Sequence, residues 1–156
     1  MCGIVGFLEQ GPRSNKENLE DKVRSMSKTL SHRGPDDCGL WSDEKVGLAF
    51  GHARLSILDV SSYGHQPMWS QNHRYVIVYN GEIYNFNQLR NKLIHLGNSF
   101  KGTSDTEVIL ASINEWGVKK SLTFFNGMFS FAVWDKVDRI LYLARDRIGE
   151  KPMYYG

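Results

Sequence analysis

The stretch Tyr75-Val76-Ile77-Val78-Tyr79 is apolar at every position and consists only of β-branched and aromatic residues. Such a run predicts a strand that is covered on both faces, because a strand with one face in water alternates apolar and polar side chains. Runs of similar composition predict four further strands, at 4–8, 46–50, 128–134 and 140–144. Residues Asp135 to Asp138 separate the last two strands by the length of a hairpin loop.

Three amphipathic helices are predicted between these strands. Each starts at a polar residue that can cap a helix and continues in apolar residues three or four positions apart. The apolar stripes are Leu19, Val23, Met26 and Leu30 after a Ser14-x-x-Glu17 capping box; Phe86, Leu89, Leu93 and Leu96 after Asn85; and Ile109, Ile113 and Trp116 after a Ser104-x-x-Glu107 capping box. Gly97 and Gly117 are expected to end the second and third helices. The pattern as a whole predicts sheets covered by helices.

Length and charge exclude several classes of function. The 156 residues are enough for one domain with a buried core and too few for two domains of ordinary size. The formal net charge of +2 is far from the basic excess of a nucleic-acid-binding surface. The longest apolar stretches, 75–79 and 129–134, are much shorter than a membrane-spanning helix. We therefore expect neither nucleic acid nor membrane as a partner.

The N-terminus carries no basic leader and reaches Glu9 before a signal-peptide core could form, so we expect a cytoplasmic protein. The two cysteines, Cys2 and Cys38, are too few for a disulfide framework or a four-thiolate zinc site, although a single disulfide between them stays open. The five histidines show no metal-binding spacing, and the glycines form no nucleotide-binding loop. We expect no metal and no cofactor in this chain.

Cys2 is the residue with the most unusual chemistry. Removal of Met1 would leave a thiol and a free α-amine on one residue, and both groups titrate close to neutral pH. The amine could take the thiol proton directly or through one water, which would make Cys2 a self-contained nucleophile and base. The alternative is that Cys2 is a small buried side chain at the start of the first strand.

Seven motifs, in their order and spacing, resemble the N-terminal glutaminase domain of glutamine-hydrolysing asparagine synthetase, a class II glutamine amidotransferase of the N-terminal nucleophile hydrolase superfamily. The resemblance covers nearly the whole chain. The motifs are Cys2-Gly3-Ile4-Val5-Gly6, His32-Arg33-Gly34-Pro35-Asp36, Arg54-Leu55-Ser56-Ile57-Leu58-Asp59, Gly64-His65-Gln66-Pro67-Met68, Asn80-Gly81-Glu82-Ile83-Tyr84-Asn85, Ser104-Asp105-Thr106-Glu107 and Ala144-Arg145-Asp146-Arg147-Ile148-Gly149. Cys38 falls where the family pattern prescribes nothing, so we expect a structural role for it.

The resemblance implies a fold and a catalytic centre. The fold would be α+β, a four-layer αββα sandwich of two mostly antiparallel sheets between helical layers. Cys2 would be the nucleophile, and the Asn80 side-chain amide and the Gly81 backbone N–H would form the oxyanion hole. The alternative for Asn80-Gly81 is a tight hairpin turn, but the flanking residues do not form an obvious pair of hairpin strands.

The resemblance also implies how the substrate, glutamine, would be held. Arg54 would bind the α-carboxylate, a role that suits a planar guanidinium, and its alternative is a surface salt bridge. Asp105 and Glu82 would bind the α-ammonium. Asp105 could also act as an anion in the first turn of the third helix, and the two roles are compatible.

The resemblance implies that the family's complete enzyme passes ammonia to a C-terminal synthetase domain, which uses ATP and Mg²⁺ to make asparagine from aspartate. It also implies that the full-length enzyme could be a homodimer. Residues 1–156 contain the glutaminase domain alone, without the Ser-Gly-Gly-x-Asp-Ser phosphate loop of that synthetase domain. Two alternatives stay open. The ammonia could go to another acceptor, or the chain could be a non-catalytic glutamine-sensing module if Met1 is retained.

Overall fold

The computed structural model describes residues 2–11, 14–56, 59 and 61–156. These residues form seven strands and four α-helices, which include the five strands and the three helices that the sequence predicts. The strands are β1 (Gly3–Leu8), β2 (Asp37–Asp43), β3 (Leu48–Arg54), β4 (Met68–Trp69), β5 (Tyr75–Ile83), β6 (Gly127–Asp135) and β7 (Ile140–Arg145), and the helices are α1 (Lys16–Lys28), α2 (Phe86–His95), α3 (Asp105–Trp116) and α4 (Val118–Phe124).

The strands form two antiparallel sheets. The first sheet has the order β1-β3-β2, and the second has the order β4-β5-β6-β7. In the first sheet Gly3 lies opposite Ala53, and in the second Gly81 lies opposite Phe129. The predicted hairpin is present, since β6 and β7 pair directly with Asp135 opposite Ile140.

Three separate apolar cores divide the molecule into four layers. Helix α1 packs on the outer face of the first sheet through Leu19, Val23 and Ala49. Side chains of both sheets meet in the middle core, which contains Leu48 and Phe50 of β3 and Val76 and Val78 of β5. The remaining helices pack on the outer face of the second sheet, where Ile109 and Ile113 contact a row of β5 and β6 side chains. This arrangement confirms the predicted α+β fold and the four-layer αββα sandwich.

Strand β5 confirms the prediction of a strand buried on both faces. Its side chains alternate, with Val76 and Val78 in the core between the sheets and Tyr75, Ile77 and Tyr79 in the core under the helices. The same alternation places the side chain of Asn80 on the face that looks toward the first sheet. Asn80 and Gly81 are therefore strand residues, and the hairpin-turn alternative for them is wrong.

Several local expectations were wrong. The cap of α1 is Asn15, whose side chain accepts a hydrogen bond from Asn18 N at 2.9 Å, and not Ser14. Ser14 instead donates to Glu9 from both its backbone N–H and its hydroxyl, at 2.8 Å each, which removes it from the helix. The third strand begins at Leu48, because 44–47 form a turn.

The remaining structural expectations concern cysteines, metals and membranes. Both Cys2 and Cys38 are free thiols, so the disulfide is absent. Within the described ranges no group of three or more His, Cys, Asp or Glu side chains could hold a metal ion. Among those same residues, every helix is too short or too polar to cross a lipid bilayer.

Candidate active site

All six site residues predicted from the sequence line one cavity of about 130 Å³. At about 10–15 Å³ for each enclosed water, this space suits a ligand of roughly ten non-hydrogen atoms, the size of a free amino acid. Cys2 immediately precedes β1 and Arg54 ends β3 of the first sheet, and Asn80, Gly81 and Glu82 come from β5 of the second. Asp105 completes the lining at the start of α3.

Antiparallel pairing brings Cys2 and Arg54 to the same end of the first sheet. Gly3 lies opposite Ala53, so one step further along each strand Cys2 reaches the level of Arg54. The Cys2 thiol lies against the Leu55 peptide, with Sγ 3.3 Å from Leu55 N and 3.6 Å from Leu55 O. Cys2 is half-buried and lines the cavity. This exposure does not match the alternative interpretation, in which Cys2 is a small side chain buried in the core.

The open edge of β5 presents a backbone donor to the cavity. Phe129, the neighbour of Gly81 on β6, makes its backbone hydrogen bonds with Asp146, through Phe129 N at 3.2 Å and Phe129 O at 2.7 Å. In an antiparallel ladder the N–H and C=O of Gly81 must then point away from β6. On that open edge Gln66 Oε1 accepts from Tyr79 N at 2.7 Å, and Asp105 Oδ2 accepts from Ile83 N at 2.9 Å.

Between those two satisfied amides, the Gly81 N–H has no acceptor among the described residues. A side chain at position 81 would push β5 away from β6, since an added Cβ would collide with Met128 O and lie 2.6 Å from Phe129 Cα. The buried Asn80 side-chain amide is likewise without a hydrogen-bond partner in the part of the chain described. Two adjacent donors are thus available to an oxygen atom placed in the cavity.

Arg54 is buried, with 7% of its surface exposed. Its guanidinium donates to Ser61 O at 2.9 Å and to Asp59 O, which fixes the side chain against the loop that follows β3. It makes no ion pair with any described residue, so its positive charge is not neutralised within the cavity. The surface-salt-bridge alternative for Arg54 does not fit this geometry.

The Asp59 carboxylate does not face Arg54, although its carbonyl does. Ser61 donates to Asp59 Oδ1 from its backbone N–H at 2.8 Å and from its hydroxyl at 2.5 Å, and Thr103 N donates to Oδ2 at 2.8 Å. Burial alone would raise the pKa of Asp59, but these hydrogen bonds outweigh it and lower the pKa to about 2. Asp59 therefore ties the Arg54 loop to the segment that leads into α3.

Asp105 supplies a buried carboxylate to the lining of the cavity. Its Oδ2 accepts hydrogen bonds from the Tyr79 hydroxyl at 2.6 Å and from Ile83 N at 2.9 Å. Burial is the main influence on its pKa and raises it, while these two hydrogen bonds act in the opposite direction. Asp105 is also an acidic residue in the first turn of α3, as the sequence predicts, while its role in binding an ammonium stays a prediction.

Glu82 adds a second carboxylate near the same end. It is half-buried, lies opposite Met128 on β6, and lines the cavity. The cavity is thus lined by one cationic side chain, Arg54, and two acidic side chains, Asp105 and Glu82. This distribution suits a zwitterion such as an amino acid.

Sequence reasoning alone did not select the other residues that line the cavity, among them Asp59, Gly64, Gln66 and Tyr79. Asp59, Gly64 and Gln66 belong to the motifs that carry the resemblance, and Tyr79 immediately precedes Asn80, so motif membership was the available signal. Met1 and two residues of the Arg54–Asp59 motif, Ile57 and Leu58, lie outside the described residues.

Comparisons with known proteins identify the class to which this fold and site belong. The family model of the glutamine amidotransferase domain matches residues 1–156. The chain therefore belongs to the glutamine amidotransferase domain family.

Individual relatives give a narrower likeness. The chain is 43% identical to asparagine synthetase [glutamine-hydrolyzing] 1 of Bacillus subtilis over 155 residues, which are 99% of this chain and 24% of that protein. It is 33% identical to amidase chry2 of Gibberella zeae over 164 residues, again 99% of this chain and 24% of the other. The chain spans about a quarter of the length of these curated relatives.

A solved structure shares the fold. The glutamine phosphoribosylpyrophosphate amidotransferase from B. subtilis, complexed with ADP and GMP, superposes with a TM-score of 0.69 at 21% identity, over 92% of this chain and 37% of that one. At this level of identity the likeness concerns the fold alone.

Proposed function

We propose that this chain hydrolyses glutamine to glutamate and ammonia through a thioester on Cys2. The observation that carries the proposal is the convergence of Cys2 with an unsatisfied Gly81 N–H, an uncompensated Arg54 and a buried Asp105 around one cavity of amino-acid size. Each of the three polar parts of glutamine finds a group of matching chemistry there.

Binding would place the α-carboxylate of glutamine on the Arg54 guanidinium and the α-ammonium on Asp105 and Glu82. The side-chain amide would then lie between the Cys2 thiol and the donors of Asn80 and Gly81. These donors stabilise the negative oxygen that forms only when the thiolate attacks, so they lower the barrier more than they tighten substrate binding.

The reaction would proceed in two balanced steps. The Cys2 α-amine takes the thiol proton, sulfur attacks the amide carbon, and the amine returns the proton to the leaving nitrogen as ammonia departs. Water then attacks the thioester carbon, releasing glutamate and restoring the thiol. This chemistry requires a free α-amine on Cys2 and therefore the removal of Met1.

We further propose that the ammonia serves an ATP-dependent synthesis of asparagine from aspartate, carried out by a synthetase domain or subunit outside residues 1–156. The name and the 43% identity of the B. subtilis relative favour this acceptor. ATP and Mg²⁺ would belong to that second reaction and not to this cavity. The match to amidase chry2 favours the alternative that a different acceptor receives the ammonia. Cytoplasmic location and homodimerisation of the full-length enzyme complete the proposal.

The test is release of ammonia and glutamate from glutamine by the purified chain, after intact-mass measurement has shown the fraction that lacks Met1. We expect turnover by the processed chain and none by a Cys2→Ala variant of unchanged melting temperature, since only a thiol is removed. A chain that retains Met1 is the matched control and should be inactive. Absence of ammonia from fully processed chain would contradict the proposal and favour the glutamine-sensing alternative.

A second measurement separates glutaminase from synthetase chemistry. Aspartate and ATP added to the 156-residue chain should yield neither asparagine nor pyrophosphate, because no motif in this sequence is equipped to activate a carboxylate. Release of pyrophosphate would contradict the proposal that the ATP-dependent reaction takes place outside residues 1–156.

A further inference from the structure

His52 connects the two sheets through a polar contact with Tyr79 of β5. It lies on β3 between Ile4 of β1 and Gly39 of β2, and only 1% of its surface is exposed. Its Nε2 lies 3.1 Å from the carbonyl oxygen of Tyr79 on β5. A carbonyl oxygen can only accept a hydrogen bond, so Nε2 must carry the ring proton.

The imidazole is held in its neutral form. Burial is the main cause that lowers the pKa of His52, to about 4, against the opposing effect of the Tyr79 hydrogen bond. The charged or titratable groups whose fields reach the ring are Asp37, Arg54 and His65. At neutral pH the ring therefore has one donating nitrogen and one lone pair.

The lone pair on Nδ1 of His52 lowers the stability of the folded protein. Nδ1 is fully buried and has no hydrogen-bond partner among the described residues. An unsatisfied buried polar atom destabilises a protein, whereas an apolar side chain would fill the same space without this cost. Its neighbours on the same face, Phe50 of β3 and Val78 of β5, are apolar. The contact with Tyr79 is what distinguishes His52 from such a core residue.

The position of this contact links the two halves of the cavity. The strand that contains His52 ends at Arg54 and pairs with the strand that follows Cys2. The strand that contains Tyr79 continues directly into Asn80 and Gly81. Apolar contacts between sheets have little directionality, whereas a hydrogen bond fixes both a distance and an angle.

Gln66 holds the other backbone polar group of Tyr79 on the open edge of β5. Its Oε1 accepts from Tyr79 N at 2.7 Å, and its Nε2 donates to Thr106 Oγ1 at 3.3 Å. The N–H and the C=O of Tyr79 are thus both held by side chains, at the point where β4 no longer covers β5. The Tyr79 carbonyl belongs to the peptide bond with Asn80. Loss of the His52 contact would therefore change the position of Asn80 and Gly81.

We propose that His52 is a positioning residue that sets the distance between the Cys2 thiol and the donors of Asn80 and Gly81. It does not line the cavity and acts through the Tyr79 carbonyl. This inference rests on the proposed glutaminase function, because it assigns His52 to the transition-state geometry of that reaction.

The experiment compares three variants of the processed chain. In His52→Leu the Tyr79 carbonyl loses its donor, and we expect kcat for glutamine to fall about 10- to 100-fold while KM changes less than about 2-fold. His52→Gln retains an N–H donor and should recover most of the lost kcat. Phe50→Leu, two residues earlier on the same face, is the matched control and should lower the melting temperature without changing kcat by more than about 2-fold.

Equal kcat in His52→Leu and Phe50→Leu would overturn the inference, as would a rise in KM with unchanged kcat. NMR provides a readout that does not depend on activity. In the wild-type chain labelled with ¹⁵N-histidine, we expect the neutral His52 ring protonated at Nε2, and protonation at Nδ1 would overturn the inference even if no variant folds. If the wild-type chain releases no ammonia, the proposed function fails; the His52 inference then survives only if His52→Leu shifts the Gly81 amide resonance more than Phe50→Leu does.

Discussion

The Tyr79 hydroxyl donates a hydrogen bond of 2.6 Å to Oδ2 of Asp105. Burial and the neighbouring carboxylates raise the pKa of Tyr79 well above its ordinary value, so the phenol stays protonated and remains a donor. The Asp105 carboxylate of the proposed ammonium site is therefore held by Tyr79, a residue of β5, the strand that also contains Asn80 and Gly81.

Replacement of Tyr79 by Phe should weaken glutamine binding more than turnover. Loss of the hydroxyl removes a hydrogen bond that favours the ionised form of Asp105, while the backbone contacts of residue 79 remain. We expect KM to rise about 10-fold, in keeping with the value of a hydrogen bond to a charged group, and kcat to stay within about 2-fold. Steady-state kinetics of ammonia release measures both constants. A fall in kcat with unchanged KM would show that the hydroxyl serves the reaction instead of binding.

Arg54 and Asn80 should separate binding from turnover. We expect Arg54→Ala to raise KM about 10-fold or more, because the α-carboxylate interacts with the guanidinium in both the ground state and the transition state. Asn80→Ala should lower kcat by about 10²- to 10³-fold, because its contact strengthens only as the oxyanion forms. Both variants are assayed over a range of glutamine concentrations. The reverse pattern would mean that the two roles have been exchanged.

Gly64 should be sensitive to the addition of a single methyl group. A Cβ at this position would overlap the Arg54 Nη2 atom and lie 2.8 Å from Arg54 Cζ, so Gly64→Ala must displace the guanidinium. We expect KM to rise several-fold, about as the loss of one good charge-assisted hydrogen bond would raise it, with kcat little changed. Ser62→Ala, an exposed change in the same turn, is the control and should behave as wild type. An unchanged KM in Gly64→Ala would show that Arg54 does not hold the substrate from its observed position.

As the pH is lowered, glutamine affinity should begin to fall at a higher pH than it would if Asp105 had the pKa of an ordinary aspartate. Only the ionised form of Asp105 can hold an ammonium, and burial raises its pKa. As the pH falls through this raised pKa, protons compete with substrate, so KM should begin to rise above the usual aspartate range near pH 4. The same raised pKa acts oppositely on the stability of the free protein, which loses a contribution as the pH increases and Asp105 ionises. A stability contribution that grows with pH over the range in which KM falls would contradict this assignment.

The elements that the sequence predicted are those whose signals are local. Helix α3 combines a Ser104 cap, which accepts from Glu107 N at 3.3 Å, with apolar spacing and a terminal Gly117. Strand β2 was missed because Asp37, Gly39 and Ser42 interrupt its apolar pattern; it exists because it pairs with β3. Strand β4 is only two residues long, and α4 begins directly after the glycine that ends α3.

The residues of the candidate site likewise divide into those with a local sequence signal and those without one. The sequence allowed the selection of four residues whose side chains have distinctive chemistry within the motifs that carry the resemblance: Cys2, Arg54, Asn80 and Asp105. The contributions of Gln66 and His52 depend on backbone atoms of Tyr79, a residue 13 and 27 positions away respectively, and no local pattern reports such contacts. The unsatisfied Gly81 N–H likewise follows from strand register, which becomes visible only when β5, β6 and β7 are aligned.

The middle core joins the two sheets mainly through apolar side chains such as Phe50, Val78 and Trp134, and the cavity opens at its end. Since each sheet supplies part of the cavity wall, a sandwich that opens while both sheets stay folded has no binding site. A bound amino acid would then act as a clamp, because ligands that bind only the closed form shift the equilibrium away from opening. Backbone amides along the facing strands β3 and β5 should consequently exchange their hydrogens more slowly when glutamine is bound, including amides far from the ligand.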